Sequence, residues 1–314
     1  MDVAIVGAGQ VGSAAAFALR LKGEAARIIL VDVNGDRSRA EALDIAHATP
    51  EGNGHAIIAG DYAAIAGAGV VVLTAGANQR PGQTRLDLLA TNAKICAEIV
   101  PQVLRHAPDA LILVATNPVD VLTELVLNLS HLPPQRVLGT GTLLDSFRLR
   151  IELARYWDVS PASIQAVVVG EHGDGAVPVW SRVTVGAIPA ADHGRVTGKP
   201  LTDEIKQSIR KAVVGSAATI IQGKGATNYG IGGAIAHICH TIAIDGQEVL
   251  PLSHHHEARG EVKNFCLSSP VILGRSGILR CLDLPMDSEE EEAFGRGARM
   301  LAGMADEGRT LLGI

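Results

Sequence analysis

The feature that most constrains this chain is the run Gly7-Ala8-Gly9-Gln10-Val11-Gly12, a GxGxxG turn placed directly after the apolar stretch VAIV at 3 to 6 and ahead of the small-residue stretch SAAAFALRL. Glycines at those three places permit a tight turn, a close backbone approach to a pyrophosphate and close packing of a helix on a strand. The turn therefore predicts a strand, a phosphate-binding loop and a helix in succession. Asp32 follows Gly12 by twenty residues and ends a second apolar run, RIILVD. A carboxylate there accepts hydrogen bonds from the adenine ribose hydroxyls and repels an extra 2′-phosphate, so it points to NAD over NADP. Arg37 and Arg39 follow five and seven residues further on, the one local feature that would suit a phosphorylated cofactor.

Further apolar runs lie near AIIA at 56 to 59, VVVLTAG at 70 to 76 and ALILVATN at 110 to 117, separated by helical stretches. Five such runs predict a doubly wound parallel sheet, a Rossmann fold. Composition agrees: 47% hydrophobic with 3% aromatic means a core of Val, Ile, Leu and Ala, which suits a parallel sheet buried on both faces. From 142 onward the texture changes. The helical stretch TLLDSFRLRIELARYW precedes the strand-like IQAVVVG, and the region to about 285 mixes strands and Gly-rich turns. The expected division is an NAD-binding Rossmann domain over 1–141 and an α/β substrate domain over 142–314. A terminal helix is expected after Asp287 or Ser288, where four consecutive acids complement a helix N-terminus.

The formal charge of -6 and the absence of a Lys/Arg cluster exclude nucleic acid as the main partner. No apolar run reaches the roughly 18 residues of a membrane span. Nothing at the start of the chain resembles an export signal, so a cytoplasmic location is expected. Cys96, Cys239, Cys266 and Cys281 lack short metal-ligand spacings, and no metal is expected. The triplet His254-His255-His256 reads as a solvated turn, because adjacent side chains rarely converge.

Three segments carry reaction chemistry. GEHGD at 170 to 174 puts His172 at the end of an apolar strand with glycines around it, and an imidazole is the natural group to exchange one proton near neutral pH. LDSFR at 144 to 148 sets Asp145 and Arg148 three apart on one helix face. A carboxylate can orient the imidazole and favour its protonated form, while a guanidinium forks onto a substrate carboxylate. GANQRPGQTRLDLL at 76 to 89 is a Gly/Pro-containing loop at the carboxyl edge of the sheet, with Arg85 placed to close over a keto acid and polarise its carbonyl.

GxGxxG with Asp32, GANQRPGQTRLDLL, VATNPVD at 114 to 120, GTLLDSFRLR at 141 to 150, GEHGD and KGATNYGIG, in that order across nearly the whole chain, resemble the L-lactate/malate dehydrogenases. The resemblance implies that His172 is the proton donor in keto-acid reduction, Asp145 its partner, Arg148 the carboxylate clamp and Arg85 the carbonyl polariser. It also implies that Asn117 places nicotinamide and substrate, that Thr227 and Asp120 belong to the substrate pocket, and that Gln10, Val11, Arg37, Tyr62, Gly76, Ala77 and Ala115 join Gly7, Gly9, Gly12 and Asp32 around the cofactor. Assembly as a homotetramer, or else a dimer, is expected.

The resemblance also implies that Gln79 occupies the position that faces the substrate's variable group, where malate enzymes of the family carry arginine. A neutral glutamine tolerates a methyl and leaves no buried charge unpaired, so pyruvate and L-lactate are the expected pair. Arg80 next to it would serve oxaloacetate if the loop shifted by one residue. Many bacterial relatives respond to fructose 1,6-bisphosphate through an arginine, matched by Arg150, and a histidine, here replaced by Gln165. Glutamine supplies no cation to a phosphate, and activation is expected to be weak or absent. A malate or broader 2-hydroxy-acid dehydrogenase is the alternative inside the family. An NAD-dependent glycoside hydrolase, which would need a metal with Cys and His ligands, is the remote one, and a retired dehydrogenase serving a binding role is disfavoured because no acid/base residue is missing.

Overall fold

A computed structural model describes residues 1–23, 25–48, 56–77 and 84–314, and for Arg85 the backbone alone. The first part alternates strand and helix: β1 (Asp2–Val6), α1 (Gln10–Lys22), β2 (Arg27–Val31), α2 (Gly35–His47), β3 (Ala56–Gly60), β4 (Val70–Leu73), α3 (Arg85–His106), β5 (Leu111–Val114), α4 (Val119–Ser130) and β6 (Val137–Gly139). The second part holds α5 (Leu143–Trp157), β7 (Ile164–Gln165), β8 (Val168–Gly170), β9 (Ala176–Pro178), β10 (Thr184–Val185), β11 (Ile188–Pro189), α6 (Ala190–Thr197), α7 (Asp203–Lys224) and α8 (Tyr229–Ala243). The hairpin β12 (Glu248–Arg259) and β13 (Val262–Gly274), then β14 (Gly277–Cys281) and α9 (Ser288–Leu312), complete it.

Strands β1 to β6 pair in parallel in the order β3-β2-β1-β4-β5-β6, the doubly wound arrangement that the turn and the five apolar runs predict. The sixth strand, VLG, is too short to register as a run. Ala4 and Val6 face one apolar core, under α3, α4 and α9, while Val3 and Ile5 face the other, under α1 and α8. That two-residue alternation on a strand buried on both sides is what an all-apolar sequence without polar interruption has to produce. The order reverses between β1 and β4, so their carboxyl ends open the crevice where ligands of such sheets bind.

The sheet does not stop at β6. Ser253 of β12 pairs with Gly139, and β13, β8 and β9 extend it antiparallel. A third core gathers Leu149, Leu153 and Trp157 of α5 with Ile164, Val168 and Val213. Helices α7 and α8 occupy 203–224 and 229–243, inside the region read from sequence as mixed strands and turns. Gly215, Gly223, Gly230, Gly232 and Gly233 sit within these helices, and their frequency masks the helical period. The histidine triplet is also corrected: it lies inside β12, with His254 buried, not in a solvated turn. The terminal helix α9 starts as expected, with Asp287 and Glu290 capping each other's backbone N–H groups in a reciprocal box.

Candidate active site

The phosphate-binding turn is built from close backbone packing. Gly7 has φ +110°, and a Cβ there would lie 2.4 Å from the Ala75 nitrogen; at Gly12 it would lie 1.9 Å from the Gly7 carbonyl oxygen. At Gly9 a Cβ would meet nothing within 4 Å. Two glycines thus let β1, β4 and α1 close on one another, and the third leaves open space at the mouth of α1. Gly9 is also the N-cap of α1 and brings no side-chain cap, so the first N–H groups of the helix are left for an anion. Asp32 braces this cradle: its Oδ2 accepts the Ala8 N–H at 2.6 Å and its Oδ1 the Asn34 N–H at 2.9 Å. Open space at Gly9, bare helix N–H groups and a strand-end carboxylate fit a dinucleotide.

Tyr62 stands near enough to Asp32 that, with its own partial burial as the larger effect, the carboxylate raises its phenol pKa. Arg37 lies in the first turn of α2, where its backbone N–H caps onto Asn34. Gly76 and Ala77 are drawn to the β5 end by two residues that sequence reading passed over. Thr116 donates to the Ala75 carbonyl at 2.8 Å, and buried Asn92 accepts the Ala77 N–H at 2.7 Å while donating to the Asn117 carbonyl at 2.8 Å. Asn92 carries no motif of its own; only its place one face of α3 inward from the loop marks it.

Across the crevice, β8 ends on Gly170 and hands the chain to His172. Helix α5 is locked beside it: Thr142 donates to the Val168 carbonyl at 2.6 Å, and Ser146 accepts the Val168 N–H at 2.9 Å. This fixes Asp145, in the first turn of α5 and 4% exposed, against the imidazole. His172 Nδ1 and Asp145 Oδ2 are 2.6 Å apart, and Asp145 Oδ1 accepts from Arg148 at 3.0 Å. One carboxylate therefore serves both the intrahelical ion pair and the histidine. Partial burial by itself would lower the His172 pKa, but the Asp145 charge and hydrogen bond outweigh it and hold the imidazole above its ordinary value. Burial likewise works to raise Asp145, and is outweighed by His172 and then Arg148, so its carboxyl sits low.

Asp120, in the first turn of α4, accepts the His172 backbone N–H at 2.8 Å. It is 2% exposed, and burial pushes its pKa up to about 6 against that hydrogen bond. The Ser253 hydroxyl is its side-chain neighbour and works in the same direction as that hydrogen bond. Asn117, joined to Pro118 by a cis peptide bond, is exposed at the β5 end of the crevice. Thr227 lies in the short loop between α7 and α8, and a Cβ at Gly230, in the first turn of α8, would meet Leu144 of α5 at 3.1 Å. Gln79, Arg80 and the Arg85 side chain lie outside the described residues.

The comparisons with known proteins agree with this geometry. Residues 1–139 match the NAD-binding domain of lactate/malate dehydrogenases and 142–310 the alpha/beta C-terminal domain of the same enzymes. An L-lactate dehydrogenase of Allorhizobium ampelinum is 47% identical over 305 residues, covering 97% of this chain and 98% of the relative. That of Thermus aquaticus is 44% identical over the same shares. The solved structure of a minor L-lactate dehydrogenase from Enterococcus mundtii superposes with a TM-score of 0.93 at 37% identity, covering 97% of each chain. With both domain matches in order along one continuous sheet, the chain belongs to the lactate/malate dehydrogenase family.

Proposed function

We propose that this chain interconverts pyruvate and L-lactate using NAD(H), with His172 as the group that gives and takes the proton. The observation that carries the reading is the Asp145–His172–Arg148 cluster, in which a single buried carboxylate binds an imidazole on one oxygen and a guanidinium on the other. NADH, when bound in the Gly7–Gly12 cradle, supplies the hydride to the keto carbon. The remaining work belongs to the protein. Asp145 receives the Nδ1–H of His172, which leaves Nε2 as the atom that protonates the carbonyl oxygen. Arg148 gives one N–H to Asp145, and its other donors fork onto the substrate carboxylate. Arg85 supplies the cation that stabilises the charge developing on oxygen.

Asp120 fixes the main chain of His172 and, with Asn117 and Thr227, bounds the substrate pocket. NAD over NADP follows from Asp32, whose negative charge lies where a 2′-phosphate would sit. The pyruvate preference rests on Gln79. Residues 1–141 hold the cofactor and lend Arg85, Asn117 and Asp120 to the substrate pocket, residues 142–314 supply the rest of it, and the chain works as a cytoplasmic homotetramer. Gln165 accepts from Thr184 through its side-chain oxygen and offers no cation near Arg150, so activation by fructose 1,6-bisphosphate is weak or absent. Steady-state rates with NADH against pyruvate, oxaloacetate and longer 2-keto acids test the reading. Pyruvate is expected to give the highest kcat/KM, and oxaloacetate turnover above pyruvate turnover would overturn the assignment to lactate.

A further inference from the structure

The hairpin strands β12 and β13 set His255 and Cys266 directly opposite each other, on the face that α4 covers. Glu124 of α4 reaches down between them. Its Oε2 lies 2.8 Å from His255 Nδ1 and accepts from Cys266 Sγ at 3.3 Å. The three ligand-type atoms lie within 4.8 Å of one another, and no second trio of His, Cys, Asp or Glu among the described residues comes so close. Glu124 and Cys266 are 1% and 2% exposed. His255, alone of the three, also belongs to the wall of a cavity of about 610 Å³ that lies beside His254, His256 and Cys281.

We propose that Glu124, His255 and Cys266 form a binding site for a borderline-soft divalent cation, zinc above all, with solvent as fourth ligand. One thiolate, one imidazole and one carboxylate is a donor set that selects zinc over calcium or magnesium, which take oxygen ligands. Ligand bonds of about 2.0–2.3 Å in a tetrahedron put neighbouring donor atoms roughly 3.3–3.7 Å apart. Cys266 and Glu124 already meet that spacing, and His255 has to back away from Glu124 by about half an ångström.

Charge also closes. The other Glu124 oxygen accepts from Arg309 at 3.3 Å and Asn128 at 3.0 Å, and Arg309 is paired with Asp306 at 2.6 Å. Two carboxylates, one thiolate, one guanidinium and one divalent cation sum to zero. On binding, the Cys266 S–H bond breaks and its proton leaves to solvent, while the imidazole keeps a proton on Nε2 and coordinates through Nδ1. No oxidant or reductant is involved. The bound ion would tie α4 to the hairpin one helical turn from Asp120, and the site stands whether the substrate is pyruvate or another keto acid.

Titration of the full-length, reduced protein with Co²⁺, read by absorption, tests the site. One equivalent is expected to produce a near-ultraviolet thiolate-to-cobalt charge-transfer band with intense tetrahedral visible bands, and zinc to remove both by competition. Cys266→Ser should abolish the charge-transfer band with pyruvate reduction unchanged, Cys281→Ser should retain it, and His255→Gln should weaken binding at least tenfold. Absence of the band in the unaltered protein overturns the proposal. So does its loss in Cys281→Ser together with survival in Cys266→Ser, which would assign cobalt to the exposed thiol. Should Cys266→Ser not fold, His255→Gln decides, and unchanged cobalt affinity in that variant contradicts the site.

Discussion

The cofactor cradle and the proton-transfer cluster are made of opposite materials. The cradle works through missing side chains: Gly7 and Gly12 let backbone touch backbone, and Gly9 leaves room. The cluster works through charged side chains held by one another, with Asp145 shared between His172 and Arg148. A site that binds a fixed polyanion needs aimed N–H groups and space. A site that moves a proton needs a titratable group whose affinity for that proton is tuned by a neighbour. Variants in the two regions should therefore fail in different ways.

The largest effect is expected at the proton donor. His172→Gln removes general acid catalysis and should lower kcat for pyruvate reduction by about 10³-fold or more while NADH affinity, measured by fluorescence, stays the same. Next comes Arg148→Lys, which gives up a forked, charge-assisted contact with the substrate carboxylate and also loosens Asp145. A loss of about 2–3 kcal/mol corresponds to roughly 30- to 150-fold in kcat/KM, most of it in KM.

The cradle separates stability from binding. Gly12→Ala pushes a methyl into the Gly7 carbonyl and should cost about 1–3 kcal/mol of stability in denaturant unfolding. Gly9→Ala meets no protein atom, so its stability cost should stay below about 1 kcal/mol while NADH binding weakens. Equal stability losses in the two would mean that Gly9 is as crowded as Gly12. The smallest effect is expected for Asp120→Asn. Asparagine still accepts the His172 N–H, so only the charge is lost, and the pH limb of pyruvate reduction should move slightly to lower pH with kcat at its plateau within a few-fold.

Much of this was readable in the sequence because its signals are local. The GxGxxG turn, Asp32 at a strand end, the three-residue spacing of Asp145 and Arg148 and the strand-end His172 each need only neighbours along the chain. What stayed hidden depends on long-range pairing. Nothing in a linear reading joins Asp120 to the backbone of His172, fifty-two residues away, or Asn92 to the carbonyl of Asn117. The continuation of the parallel sheet into β12 and β13 rests on Gly139 meeting Ser253. The histidine triplet shows the same limit: the strand brings His254 and His256 ring to ring at 4.2 Å, whereas His255 acquires its neighbours from α4 and from the opposite strand.

The central claim is that Asp145 holds His172 protonated for transfer to the keto oxygen, and the pH profile of kcat/KM for pyruvate, measured for the unaltered chain and for Asp145→Asn, tests it most directly. Reduction needs the imidazolium, so the rate falls as pH rises through the His172 pKa, which lies above its ordinary value. With asparagine at 145 only the smaller effect of the Asp120 charge is left to oppose burial, and the falling limb should move to lower pH by more than it does in Asp120→Asn, with a smaller plateau. A limb that stays where it is in Asp145→Asn would contradict the account.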